Sequence, residues 1–86
     1  MPEISRFYGI IIKMYFDDHN PPHFHALYGE LEAIININTL GVITGELTPR
    51  ALGLVMEWAL LHQKELLRDW NRAKNLEPLD QIDPLP

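Results

Sequence analysis

The sequence contains no cysteine. That absence excludes disulfides, thiolate zinc fingers, iron–sulfur clusters and a cysteine nucleophile, and it matches a reducing, cytoplasmic compartment. Serine is almost as scarce. Ser5 stands alone and outside any glycine elbow, and Thr39, Thr44 and Thr48 are accounted for as turn, strand and cap residues. A hydroxyl nucleophile is therefore poorly provided for. Long apolar runs are missing too: no stretch approaches the roughly 18 apolar residues that span a bilayer, and Met1 to Arg6 lacks a basic segment followed by an apolar one. The expectation is a chain without export or membrane contact. Basic residues are the minority, 7 against 12 acidic ones, for a formal charge of −5. Phosphate binding by bulk electrostatics needs clustered lysine and arginine, so the charge does not indicate a nucleic-acid partner.

What is present suits one small core. With 86 residues the chain reads as a single α+β domain over 1–75 followed by a Pro-rich tail over 76–86. A fold of this size buries only about 60 to 65% of the surface its unfolded chain exposes, so its stability reserve is thin.

Arg6 to Phe16 is rich in aromatic and β-branched residues and reads as one strand, with Tyr8, Ile10, Ile12, Met14 and Phe16 on its core face and Lys13 pointing the other way. His23 to Tyr28 is a second strand, joined through Gly29-Glu30 to a third over 31–38, and Val42 to Leu47 is a fourth. Thr48-Pro49 starts a helix, because threonine caps free amides and proline at the first position has none to satisfy. Leu52, Val55, Met56, Ala59, Gln63, Leu66 and Trp70 then form one stripe, which predicts a single long helix from Pro49 to about Lys74. The predicted architecture is a four-stranded, mainly antiparallel sheet packed on one long C-terminal helix. In the tail, Leu76, Leu79, Ile82 and Leu85 recur every third residue among prolines, a polyproline II spacing that suits docking in an apolar groove.

The chemistry is concentrated between Asp17 and His25, where two aspartates and three of the four histidines surround Pro21-Pro22. Two prolines stiffen that turn. His23 and His25, at i and i+2 on a strand, project from one face with Cα atoms about 6.6 Å apart. That spacing suits two nitrogens meeting one metal ion, with Asp17, Asp18 or His19 completing the set, so a divalent metal at this cluster is the one cofactor the sequence admits. It equally suits an imidazole acid and base pair. His19, His23 and His25 are then the candidate catalytic residues, and Arg6, Lys13 and Arg50 the candidate contacts to a substrate phosphate. Trp58 and His62 flank the helical stripe and are candidate partner contacts.

The runs Arg6-Phe7-Tyr8-Gly9-Ile10 and Asp18-His19-Asn20-Pro21-Pro22-His23-Phe24-His25-Ala26, with Tyr28-Gly29-Glu30, Arg50-Ala51-Leu52, Glu57-Trp58 and Glu77-Pro78-Leu79, resemble the DUF4160 family of small prokaryotic proteins. The resemblance implies a small cytosolic protein often encoded beside another short protein, hence a toxin-antitoxin-like setting and a protein partner or self-association. It marks His19, Pro21, Pro22, His23 and His25 as the family motif. Asn36, Asn38, Thr39 and Leu40 depart from it, standing where relatives tend to carry an aspartate-rich strand end. Three functions follow from these readings: a protein-binding component of a two-gene module, a histidine-dependent or metal-assisted phosphodiesterase or ribonuclease, and a structural metal-binding domain.

Overall fold

The computed structural model describes residues 2–86. Five strands, β1 (Glu3–Phe7), β2 (Ile10–Lys13), β3 (His23–Tyr28), β4 (Leu31–Asn36) and β5 (Val42–Gly45), are followed by the helices α1 (Pro49–Leu61) and α2 (Gln63–Lys74). The strands form one antiparallel meander in sequence order.

Two sequence expectations are corrected. The segment read as one strand is a hairpin: Tyr8 (φ 50°) and Gly9 (φ 80°) both take left-handed backbone, the geometry of a two-residue turn that follows strand twist, so the sheet has five strands instead of four. Tyr8, expected in the core, is exposed in consequence, whereas Ile10, Ile12 and Met14 are fully buried. Phe16 has already left the sheet and is exposed. The single long helix is in fact two. A continuous helix of roughly 40 Å would overshoot a molecule whose longest axis is 33 Å. The break falls at His62 (φ −123°, ψ 22°), where Gln63 Nε2 donates to the carbonyls of Ile37 and Asn38 at 2.8 and 3.0 Å. That bond anchors the start of α2 to the end of the sheet.

The caps explain where α1 begins. Thr48 Oγ1 accepts the Ala51 N–H at 3.2 Å, and Pro49 occupies the first position. Ala51, Val55, Trp58 and Ala59 of α1 and Leu66, Trp70 and Ala73 of α2 bury their side chains with Ile10, Ile12, Phe24, Ala26, Ala33 and Ile35 of the sheet. Trp58 packs against Phe7 in a tilted contact and against Phe24 edge-on, with ring centroids 5.3 and 5.9 Å away. No helix among the described residues is long and apolar enough to cross a membrane.

The tail lies against its own domain. Ile82 and Leu85 are buried, the Ile82 N–H donates to the Ile4 carbonyl at 2.8 Å, and Trp58 Nε1 donates to the Asp83 carbonyl at 2.8 Å. Asp69 of α2, 1% exposed, accepts the Asp80 N–H and the Arg72 guanidinium. Burial pushes the Asp69 carboxyl above its ordinary value, against the pull of those two donors.

Two glycines should respond oppositely to alanine. Gly45 sits at φ 81°, and a Cβ there would collide with the Glu32 carbonyl oxygen. Gly45→Ala is expected to cost more than about 1 kcal/mol. Gly53, in mid-helix with open space around it, should gain about 0.5 to 1 kcal/mol as alanine. Urea midpoints of the two variants check both signs.

Candidate metal centre

β3 alternates, and alternation decides where its side chains go. Phe24 and Ala26 turn into the core, so His23 and His25 leave the opposite face together. Both are buried, at 8% exposed. Trp70 of α2 lies 5.1 Å from the His23 ring, and Tyr15 presents its ring edge-on to His25 at 4.5 Å.

The loop between β2 and β3 supplies the third group. It is pinned to the body of the protein by the Met14 N–H to the Pro2 carbonyl and the Asp17 N–H to the Ala73 carbonyl, each 3.1 Å. Asp18 then turns inward. Its Oδ1 accepts the His19 N–H at 2.8 Å, and its Oδ2 lies 2.9 Å from His23 Nε2 and 3.7 Å from His25 Nε2. The Asn20–Pro21 peptide is cis.

The outer nitrogens of both rings are already committed. His23 Nδ1 lies 2.7 Å from the Pro21 carbonyl and His25 Nδ1 lies 2.8 Å from Glu32 Oε2. A carbonyl and a carboxylate only accept, so both Nδ1 atoms carry the proton. For a neutral ring this leaves Nε2 with a bare lone pair. His25 Nε2 is buried and has no hydrogen-bond partner among the described residues. His23 Nε2 faces a carboxylate, a contact that holds either a proton, as an ion pair, or a metal ion in the proton's place.

One donor atom each from Asp18, His23 and His25 lies within 4.8 Å of the other two. Ligand bonds of about 2.0 to 2.2 Å in a tetrahedron put donors roughly 3.3 to 3.6 Å apart, and the contacts of 2.9 and 3.7 Å bracket that value. The donor set, two imidazoles and a carboxylate, suits zinc, iron, nickel or cobalt more than magnesium or calcium. The outer bonds to Pro21 and Glu32 are those that orient metal-binding imidazoles. Donor types, approximate spacing and outer bonds are compatible with an ion.

Electrostatics agree with a charged Asp18. Partial burial raises its pKa, but the His19 amide, the His23 imidazole and the nearby histidine charges outweigh that and hold the carboxyl below its ordinary value.

The other sequence candidates lie elsewhere. Asp17 and His19 are exposed and contribute no atom to the cluster. Arg6 is held by Glu3 at 2.8 Å on the surface. Lys13 pairs across the sheet with His25 and is the one candidate cation in register with the histidines. Arg50 borders a cleft of about 250 Å³ with Tyr8, Tyr28 and Leu54. Trp58 is wholly buried in the core, and His62 marks the helix break, with Nδ1 2.6 Å from Glu65. Glu32 is not among the residues the sequence singles out. The hairpin register carries its signal: with Gly29-Glu30 as a two-residue turn, Leu27 pairs with Glu32 and His25 with Ile34, which puts Glu32 diagonally beside His25.

Fold and cluster together define a small α+β domain with a two-histidine, one-carboxylate centre on a sheet face. The chain belongs to the family described as domain of unknown function (DUF4160), whose profile matches residues 9–71. Neither a curated protein nor a solved structure matches it.

Because the folded Asp18 carboxyl is depressed, its stabilisation is complete above the free carboxylate pKa of about 3.9 and fades as pH falls through its lower folded value. Asp18→Asn should cost about 1 kcal/mol at pH 7 and almost nothing at pH 2. Guanidinium midpoints of both proteins at the two pH values give the comparison; equal differences would remove the carboxylate from this role.

Proposed function

We propose that the chain is a metal-binding domain in which His23 Nε2, His25 Nε2 and Asp18 Oδ2 hold one divalent transition-metal ion. The observation that carries this reading is the buried, unbonded Nε2 of His25, aimed at the Asp18 oxygen that also meets His23. A buried polar atom without a partner costs about 1 to 3 kcal/mol, and a metal ion would satisfy it together with its two neighbours. Pro21 and Glu32 would fix both rings by their outer nitrogens, leaving no other tautomer.

The reading favours the metal-binding function over the other two that the sequence admits. A metal-independent ribonuclease needs a cation at the transferred phosphate; Arg6 is paired, Arg50 lies in a separate cleft, and Lys13 alone stands in register with His25, so that reading rests on one cation and leaves the unbonded His25 Nε2 unexplained. The toxin-antitoxin-like role inferred from the family resemblance is compatible with a metal centre, since an ion that ties the β2–β3 loop to β3 would shape a surface for a partner. An ion bound here would supply Lewis acidity or a structural tie. Three protein donors are one short of the four that close a structural zinc site.

The purified chain should take up one equivalent of zinc or cobalt and release protons as it does so, because the ion replaces the proton between His23 and Asp18. At a hundredfold excess over Kd the gain in stability should be about 2.7 kcal/mol. His23→Ala with His25→Ala should abolish uptake, Asp17→Ala with His19→Ala should leave it intact, and Glu32→Gln should weaken it by about 10- to 100-fold. Equilibrium dialysis with elemental analysis reads all three; no stoichiometric ion in the wild-type chain overturns the reading.

A further inference from the structure

The tail is held in the way folded domains hold peptides. Residues 79–86 have no regular secondary structure, yet three elements grip them. β1 receives them at its outer edge, where the Ile82 N–H donates to the Ile4 carbonyl and Gln81 Nε2 donates to the Glu3 carbonyl at 2.7 Å. In α1, Trp58 donates its indole N–H to the Asp83 carbonyl. From α2, Arg72 Nη1 lies 2.8 Å from Asp80 Oδ2, and Asp69 accepts the Asp80 N–H. Tyr8, in the β1–β2 turn, donates its hydroxyl to the Pro86 carbonyl at 2.7 Å. Ile82 and Leu85 fill apolar sites between these contacts. A backbone bond to an edge strand combined with an aromatic N–H on a carbonyl of a proline-containing segment has elements of two common modes of peptide recognition.

Ile82 and Leu85 join the core cluster, and two further observations bear on how the rest of the tail is held. The connection from α2 runs through residues 75–78, whose side chains are exposed; Leu76 takes left-handed backbone, and the Leu76 and Glu77 N–H groups donate back to the Ala73 and Arg72 carbonyls at 3.2 and 2.8 Å, so the root is held by backbone bonds at the helix end and by no buried side chain. Asp69 Oδ2 is buried, has no hydrogen-bond partner among the described residues, and borders a cleft of about 200 Å³ with Arg68, Arg72 and Gln81. The groove therefore offers an acceptor that its own tail leaves unused. A segment with a side-chain donor beside the acidic position would make one bond more than the resident does.

We propose that the groove formed by β1, α1 and α2 is a peptide-recognition surface, occupied in the free protein by its own residues 79–86. It takes an extended segment of a partner protein with an acidic residue at the first position, an aliphatic residue two positions on and another five positions on, the spacing of Asp80, Ile82 and Leu85. The Arg72 guanidinium supplies the charge complement for the acidic position, and the carbonyl contacts from Trp58 and Tyr8 require extended backbone. Displacing the tail opens the site, so partner binding competes with an intramolecular ligand.

The test uses the full chain carrying Ile82→Asp and Leu85→Asp, which disable the tail and leave the groove unaltered, and a fluorescent peptide with the sequence of residues 79–86. The double variant should remain folded by circular dichroism and bind the peptide with a Kd on the order of micromolar, at least tenfold tighter than the wild-type chain binds it. Arg72→Gln in the double variant should weaken binding, and a peptide with aspartate in place of the isoleucine should not bind. A wild-type chain that dimerises with rising concentration, and does so only with an intact tail, would show the groove accepting a second copy in trans and so support the proposal. A double variant that fails to fold overturns it, because the groove then cannot stand open without its own tail. So does a folded double variant that ignores the peptide, or one that binds it no better than the wild type.

Discussion

The candidate site depends on one constraint: β3 is buried on both faces. Its period-two alternation commits Phe24 and Ala26 to the core beneath Trp58, and the opposite side chains, His23 and His25, have no choice of direction. Once both Nδ1 atoms are tied, to the Pro21 carbonyl and to Glu32, neither ring can turn. The two Nε2 atoms are then presented to the same carboxylate with little conformational freedom left to lose. Preorganisation of this kind is what a metal centre needs from its protein, since the ordering cost falls on folding and not on binding.

A domain this small has little apolar area to spend, and it lacks the disulfides that often compensate for this. The tail meets part of the need. By placing Ile82 and Leu85 under α1 and along β1, it extends the core and covers one edge of the sheet, where unpaired amides and carbonyls would otherwise be open to pairing with other chains. The opposite edge, β5, is short and carries a register shift, two other ways of discouraging such pairing. Buried polar atoms without partners are few among the described residues: Ser5 Oγ, His25 Nε2 and Asp69 Oδ2. Two of the three lie at the places where a ligand is inferred, one beside the histidine cluster and one beside the tail groove. An interior that satisfies its polar groups elsewhere makes such exceptions informative.

Much of this was legible in the residues themselves. Alternation identified Ile10, Ile12 and Met14 as core, Thr48-Pro49 located the start of α1, and the clustering of Asp17, Asp18, His19, His23 and His25 pointed to one chemical centre, because each of these signals depends only on neighbours a few positions apart. The turn at Tyr8-Gly9 was hidden by strong β propensity on both sides of it. The helix break at His62 was hidden by an apolar stripe that continues across it, from Ala59 through Gln63 to Leu66. The bond that holds α2 in place joins Gln63 to Ile37, some 26 positions away, and no local pattern carries it.

The sequence by itself determined that the chain forms an α+β domain and that two histidines share one strand face, since periodicity and turn chemistry are local. Only the tertiary structure decided which of Asp17, Asp18 and His19 meets them, that Glu32 orients His25, and that the tail lies in a groove made by three elements. Those outcomes depend on how the β2–β3 loop is pinned to α2 and on how β3 registers against β4, contacts between segments far apart in the chain that pack only once the core has formed.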